Sequence, residues 1–347
     1  MNKKIYRIAA AAIIGGLIAF TLILGRKRII TVERQFPMMG TFVDFKITCA
    51  ASRKSEAARV ISDAADSIRD IENKLSPYIP ESEISIINTK ADQEPVKVSD
   101  LTFHVLKKSL MIAEMTDGAF DPSFAAAGDL WSLNPENPAI PSETELAEKM
   151  KLVDFRSVLL NNDNQTVALE KKGMRLDLGG IAKGTAIDKA VEVIRTSGFE
   201  NALVNAGGDI FAAGKNAKGE KWKVAVLNPR DKDDFLAVIP VSDVAVVTSG
   251  DYERMVEIDG KRYHHILNTR TGKPAEKCIS VTVVARDAET ADALSTALFV
   301  LGPEEGIELV KKLPGTEALI VAPDGNLFYT GFFSEYLDVE KVNIPHF

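Results

Sequence analysis

Cysteine is nearly absent from this chain. Two residues in 347, Cys49 and Cys278, cannot supply a disulfide scaffold or a multi-cysteine metal framework. One disulfide between them stays open, but both lie in apolar, strand-like stretches where a buried free thiol is the commoner state. Histidine is also scarce, with four copies. Low-complexity tracts and short-period repeats are lacking, which excludes repeat arrays and collagen-like chains. Net positive charge is missing from most of the sequence. The net charge is −7, yet residues 1–34 carry seven Lys/Arg against one Glu, so the remainder stands at −13. A body that acidic lacks the clustered basic surface that nucleic-acid phosphates require, so no nucleic-acid partner is expected.

What is present is an ordinary globular composition, 46% hydrophobic and 26% charged, in a chain long enough for one large domain or two. Ile8 to Gly25 (IAAAAIIGGLIAFTLILG) is an uncharged apolar run of about 18 residues, near the lower limit for crossing a bilayer as a helix. Lys3, Lys4 and Arg7 precede it and Arg26, Lys27 and Arg28 follow, so charge alone does not orient it. Basic residues stand where a secretory signal would place its small-residue cleavage site, which favours an uncleaved anchor over a cleaved signal. The expected organisation is an anchor over residues 1–30, a linker over 31–37 and one catalytic domain over 38–347.

Within the body, Thr41 to Ile47 alternates like a half-buried strand, and Ser52 to Leu75 places Ile61, Ala64, Ile68, Ile71 and Leu75 on one helical face. A second helix is expected from Ser99 or Asp100 to about Thr116, and Ser142 with Glu145 forms a capping-box pattern for a third. Arg156 to Leu160 and Thr166 to Glu170 flank a turn and predict a hairpin. Strand-like runs at Ala202 to Asn205, Trp222 to Leu227, Phe235 to Val241, Val244 to Val247, Ile279 to Ala285 and Ala318 to Val321 are interrupted by helical patterns at Lys183 to Thr196, Thr290 to Val300 and Glu304 to Lys312. Strands joined by short turns with few helices predict an α+β layout rather than an alternating parallel sheet.

Four segments could carry chemistry. In DLGGIAKGTAIDKA (Asp177 to Ala190) glycines lie where a strand enters a helix, a junction that admits a phosphate to backbone amides; a tight structural turn is the alternative. In NAGGDIFAAG (Asn205 to Gly214) a bulge is the favoured reading of Gly207 and Gly208. In YHHILNTRTGKP (Tyr263 to Pro274) adjacent His264 and His265 on a strand point to opposite faces and cannot share a metal. In ETADALSTALF (Glu289 to Phe299) Asp292 and Thr296 are four apart on one helical face, so a carboxylate and a hydroxyl could meet one hard cation; a helix-start Asp complementing the macrodipole is the alternative.

In order, MGTF, LSPY with SEIS and IN, GAFDPS, DLGGIAKG, NAGGDI, HHILNTRTGKP and the AD…ST helix closely resemble the ApbE family, the FAD:protein FMN transferases, from about Met38 to Tyr329. The resemblance implies a T-fold-like α+β domain with mixed or antiparallel sheets and packed helices, here preceded by one transmembrane helix. It implies Mg2+-dependent transfer of the FMN moiety of FAD to a Thr or Ser hydroxyl of a target redox protein, with release of AMP. The expected acceptor is a flavoprotein subunit of a membrane redox complex of the Na-translocating quinone reductase (Nqr) or Rnf type. By motif position, Met39, Tyr78, Ala119, Phe120, Asp121, Asp177, Lys183 and Ile266 would contact FAD. Gly180 through its carbonyl, Asp292 and Thr296 would hold the metal, and His265 would be the catalytic base beside Asp292. With the anchor, this places the protein in the inner or plasma membrane as a single-pass protein whose catalytic domain is extracytoplasmic. An FAD pyrophosphatase, and a membrane-tethered flavin-binding protein without catalysis, are the competing readings.

Overall fold

The computed structural model describes residues 28–337. The chain opens on a hairpin of β1 (Ile29–Met38) and β2 (Thr41–Ala50), followed by α1 (Lys54–Leu75), α2 (Glu83–Lys90), β3 (Val96–Lys97) and α3 (Asp100–Met115). Two short helices, α4 (Ala125–Gly128) and α5 (Glu143–Met150), lead to the predicted hairpin, β4 (Val158–Asn161) and β5 (Thr166–Leu169). Then come α6 (Ala182–Thr196), β6 (Ala202–Ala206), β7 (Asp209–Ala213), β8 (Trp222–Asn228), β9 (Asp231–Val241) and β10 (Val244–Gly250). A small ribbon of β11 (Met255–Ile258) and β12 (Lys261–His264) precedes β13 (Ser280–Ala285), α7 (Ala288–Leu301), α8 (Pro303–Val310), β14 (Glu317–Val321) and β15 (Leu327–Tyr329).

Eight strands form one sheet in the order β1-β2-β6-β7-β10-β13-β14-β15, every neighbouring pair antiparallel. Both faces are covered, and the two-residue period of the strands shows how. On β14, Ala318 and Ile320 join the core beneath the helices, whereas Leu319 and Val321 join a second core beneath the β8-β9 ribbon. β10 divides the same way, Ala245 and Val247 against Val246. On the helical side α1, α6 and α7 pack together. Helix α1 buries Ala57, Val60, Ile61, Ala64, Ala65, Ile68, Ile71 and Leu75, the three- and four-residue steps of one amphipathic face. The capping box of α5 is present in both directions, Ser142 to the Glu145 amide and Glu145 to the Ser142 amide.

Two expectations need correction. Residues 31–37 are not a linker: they lie inside β1, which pairs with β2 from Ile29↔Ala50 to Met38↔Thr41. Val32 and Met38 are buried there while Glu33, Arg34 and Gln35 face outward, an edge strand whose charges disguise it. The expected membrane span, Ile8 to Gly25, lies outside the described residues, and among the described residues no helix is long and apolar enough to cross a membrane. The longest, α1, has 22 residues but nine charged side chains. The apolar α7 has 14 residues, about 21 Å against roughly 30 Å of hydrocarbon. Among the described residues the fold class is the α+β domain alone, and no described helix supports the single-pass membrane placement with an extracytoplasmic domain, which is withdrawn. Cys49 and Cys278 are buried free thiols.

Candidate active site

Antiparallel pairing brings the start of β2, the β6-β7 turn, the end of β10 and the start of β13 to one end of the sheet. Two tight hairpins lie side by side there. Met39 and Gly40 have φ of 53° and 68°, and Gly207 and Gly208 have 64° and 104°, the left-handed pairs that two-residue turns require. NAGGD is thus a hairpin turn with Ala206 paired to Asp209, and not a bulge. A side chain on Gly207 would come within 2.6 Å of Thr41 Oγ1, so the two tips touch. Met39 is held in its uncommon conformation by its amide, which donates to Glu72 Oε1 at 3.0 Å.

The DLGG loop ends at this same place. Asp177 turns back to accept the Gly179 amide at 2.8 Å, and its own amide donates to Pro122 O at 2.9 Å, which joins the loop to GAFDPS. Burial raises the Asp177 carboxyl pKa. A Cβ placed on Gly180 would lie 3.1 Å from Phe120 Cε2 and 3.2 Å from Thr296 Oγ1, so three residues from three distant segments converge. Gly184 behaves otherwise than its motif suggests. A side chain there would strike Ala288 O at 2.2 Å, so this glycine serves the close crossing of α6 and α7 rather than a phosphate. The same crossing lets the Gly184 amide donate to Asp292 Oδ2 at 2.9 Å.

Around this crossing sits a buried charged set. Lys183 Nζ lies 2.6 Å from Asp209 Oδ2, and the Asp209 side chain is 1% exposed. Both Asp209 and Asp292 raise the Lys183 pKa against the opposing effect of burial. Burial, then the Asp209 charge, pushes the Asp292 carboxyl up to about 7, with Lys183 and the Gly184 amide opposing. One ammonium thus faces two carboxylates, with the Glu253 charge acting on the same set, so negative charge is in excess once the carboxyls ionise.

The turn Asn268 to Gly272 clasps the GAFDPS loop. Thr269 Oγ1 donates to Gly118 O, Arg270 Nη2 lies 3.3 Å from Asp117 Oδ2, and Trp131 Nε1 donates to Gly272 O at 3.0 Å. Ala119 and Phe120 are buried. Asp121 is spent on its own loop, accepting from Ser123 N and Oγ at 2.7 and 2.6 Å and from Phe155 N at 3.1 Å, so only its backbone is left to meet a ligand. Ile266 is buried, and its carbonyl accepts from Ala275 N. Tyr78 is 85% exposed, an aromatic face open to a planar ligand.

The histidines separate as strand geometry requires. His264 is buried, with Nε2 2.9 Å from Ala275 O and its ring edge-on to Phe299 at 5.6 Å. His265 is exposed, and its amide donates to Arg254 O at 3.0 Å. Its desolvated setting, then the Arg254 charge, lowers its pKa to about 4. The imidazole is therefore neutral at pH 7.

Among the described residues no three His, Cys, Asp or Glu side chains form a cluster that could hold a metal ion. The expected donor set is of another kind: one carboxylate, one hydroxyl and one carbonyl. That set suits Mg2+, which keeps waters and substrate phosphates as its remaining ligands. The excess negative charge on Lys183, Asp209 and Asp292 supplies the fit, because a carboxyl raised by a neighbouring carboxylate is stabilised by either a proton or a cation. Two neighbours escaped sequence reasoning, Asp209 as the Lys183 partner and Arg254. Asp209 begins β7 and Arg254 lies between β10 and β11, each distant in sequence from its partners, and only the sheet brings them together.

A family model described as the ApbE family matches residues 39–320. The chain is 35% identical to the FAD:protein FMN transferase of Treponema pallidum over 315 residues, 86% of this chain and 87% of that one. It is 30% identical to that of Vibrio cholerae over 298 residues, 83% and 86%. Among solved structures, the ApbE protein from Thermotoga maritima has a TM-score of 0.81 at 36% identity, covering 89% of this chain and 99% of that one. The flavin transferase ApbE from Vibrio cholerae has a TM-score of 0.78 at 28% identity, covering 89% and 100%.

Proposed function

The chain belongs to the ApbE family, and from that premise we propose how its residues divide the work of flavin transfer from FAD to a target protein. Transferring flavin to a protein is the activity its relatives share. The observation that carries the finer reading is the half-buried Lys183 with the buried Asp209 and Asp292, beside Thr296 and Gly180.

Asp292, Thr296 Oγ1 and the Gly180 carbonyl would hold Mg2+, which when bound supplies positive charge against the pyrophosphate and the departing phosphate. Lys183 holds Asp209 and tunes Asp292 rather than reaching the ligand as a free ammonium. Met39, Tyr78, Asp177 and Phe120 line the FAD position, with Ala119, Asp121 and Ile266 contributing backbone. His265, neutral at pH 7, accepts the proton of a Thr or Ser hydroxyl of the acceptor. The acceptor oxygen then bonds to the FMN phosphorus as the bond to the AMP oxygen breaks, giving phosphoester-linked FMN and AMP. The acceptor class is a flavin-carrying subunit of a membrane redox complex of the Nqr or Rnf type.

Incubating the purified chain with FAD, MgCl2 and such a subunit tests this reading. AMP and protein-bound flavin should appear in equal amounts. AMP with free FMN alone would make the chain a pyrophosphatase, and neither product would make it a flavin-binding protein; both outcomes overturn the proposal.

A further inference from the structure

Arg254 has no assigned role, yet it stands where the site's other cations are already committed. It lies in the turn between β10 and β11, on the end of the sheet that gathers the hairpin tips. Its Nη2 is 3.4 Å from where a Cβ on Gly40 would sit, which puts the guanidinium against the turn that carries Met39. Its carbonyl accepts from the His265 amide, so its backbone is tied to the segment of the proposed base. Its charge acts on the ionisation of Tyr78, Asp177 and His265, three of the residues read as surrounding FAD.

Its charge also acts on the neighbouring Glu253, whereas three other carboxylates at this end of the fold are occupied. Asp251 is held by Arg230 through two bonds of 2.7 Å and by Arg262 at 3.3 Å. Asp129 is paired with Arg175 at 2.7 Å, and Asp209 with Lys183 at 2.6 Å. Arg254 itself is exposed and makes no ion pair among the described residues. An unpaired guanidinium in a body of strongly acidic charge, set against the Met39-Gly40 turn and tied to the segment of a candidate base, has the chemistry of a phosphate fork.

We propose that Arg254 is a substrate-binding residue whose guanidinium engages the pyrophosphate of FAD and sets the preference for phosphorylated flavins over riboflavin. This rests on the FAD-transfer reading above. Removing a charged hydrogen-bonding partner of this kind costs roughly 10- to 100-fold in affinity.

Flavin fluorescence titrations with FAD and with riboflavin should be run on the unaltered chain, Arg254→Gln and Arg254→Lys. FAD affinity should fall roughly 10- to 100-fold in Arg254→Gln and less in Arg254→Lys, while riboflavin affinity stays unchanged in both. Equal weakening for FAD and riboflavin would show a merely structural role at the hairpin tip, and unchanged FAD affinity would show no contact; either overturns the proposal. If instead the unaltered chain fails to bind FAD, it is the transfer reading that fails.

Discussion

Replacing Asp292 by Asn should remove a pH dependence from the stability of the cation-free protein. The Asp292 carboxyl is raised from 3.8 to about 7, so the folded chain holds this proton more tightly than the unfolded chain does. Stability from that proton is fully present below about pH 4 and is lost as pH rises through about 7. Each pH unit across the window is worth about 1.4 kcal/mol, which caps the loss at about 4 kcal/mol. Asp188, raised to about 6 mainly by burial, destabilises with the same sign but does so in both chains and cancels in the comparison. The substituted side chain keeps an oxygen for the Gly184 amide and carries no charge. Urea unfolding, followed by tryptophan fluorescence at several pH values from 4.5 to 7.5 in EDTA, reads the effect. The gap between the two chains should widen in favour of the variant as pH rises, by at most about 4 kcal/mol. Adding MgCl2 at pH 7.5 should restore the unaltered chain and leave the variant unmoved. Parallel curves, or a variant that loses stability with rising pH as steeply as its parent, would refute the reasoning.

Gly184→Ala should cost about 3 kcal/mol in urea unfolding, the upper end for overpacking, because the added methyl meets backbone at 2.2 Å; a loss under about 1 kcal/mol would mean the crossing of α6 and α7 can open. Lys183→Met leaves Asp209 buried without its cation and should lower stability by about 3–5 kcal/mol, with Asp209→Asn in the same chain recovering much of it. His265→Ala should reduce flavin-transfer turnover by roughly 10²- to 10⁴-fold with little change in FAD affinity. His264→Ala should instead lower the melting temperature, since its ring fills space against Phe299 and bonds Ala275 O; a larger turnover loss from His264→Ala would exchange the two roles.

The sequence revealed those elements whose pattern is strong and local. The periodicity of Ser52 to Leu75 and the apolar runs at Ile279 to Ala285 and Ala318 to Val321 became α1, β13 and β14 within a few residues. Strand β1 was hidden because it sits at the sheet edge, where Glu33, Arg34 and Gln35 need no burial. Helix α2 was hidden because only Ile84 and Ile87 of its eight residues are buried and no capping box marks its start; its stability comes from the Ser82 cap and from Asn88, which both donates to and accepts from the Leu176 backbone. The site was legible in its motifs but not in its wiring. Asp292 and Thr296 could be placed on one face by spacing alone, whereas the Asp209 grip on Lys183 and the approach of Arg254 to Gly40 depend on which strands neighbour which. Gly184 misled because a close approach of helix backbone and a close approach of phosphate demand the same residue.

The central claim is that a cation held at Asp292 is needed for flavin transfer. The direct measurement is single-turnover transfer of flavin from FAD to an acceptor subunit, quantified as protein-bound flavin, for the unaltered chain with MgCl2, the unaltered chain with EDTA, and Asp292→Ala with MgCl2. Transfer should occur only in the first, while FAD still binds Asp292→Ala through the contacts at Tyr78, Phe120 and Met39. Normal transfer in EDTA, or full activity in Asp292→Ala, would contradict the account and return Asp292 to a residue that only complements the start of its helix.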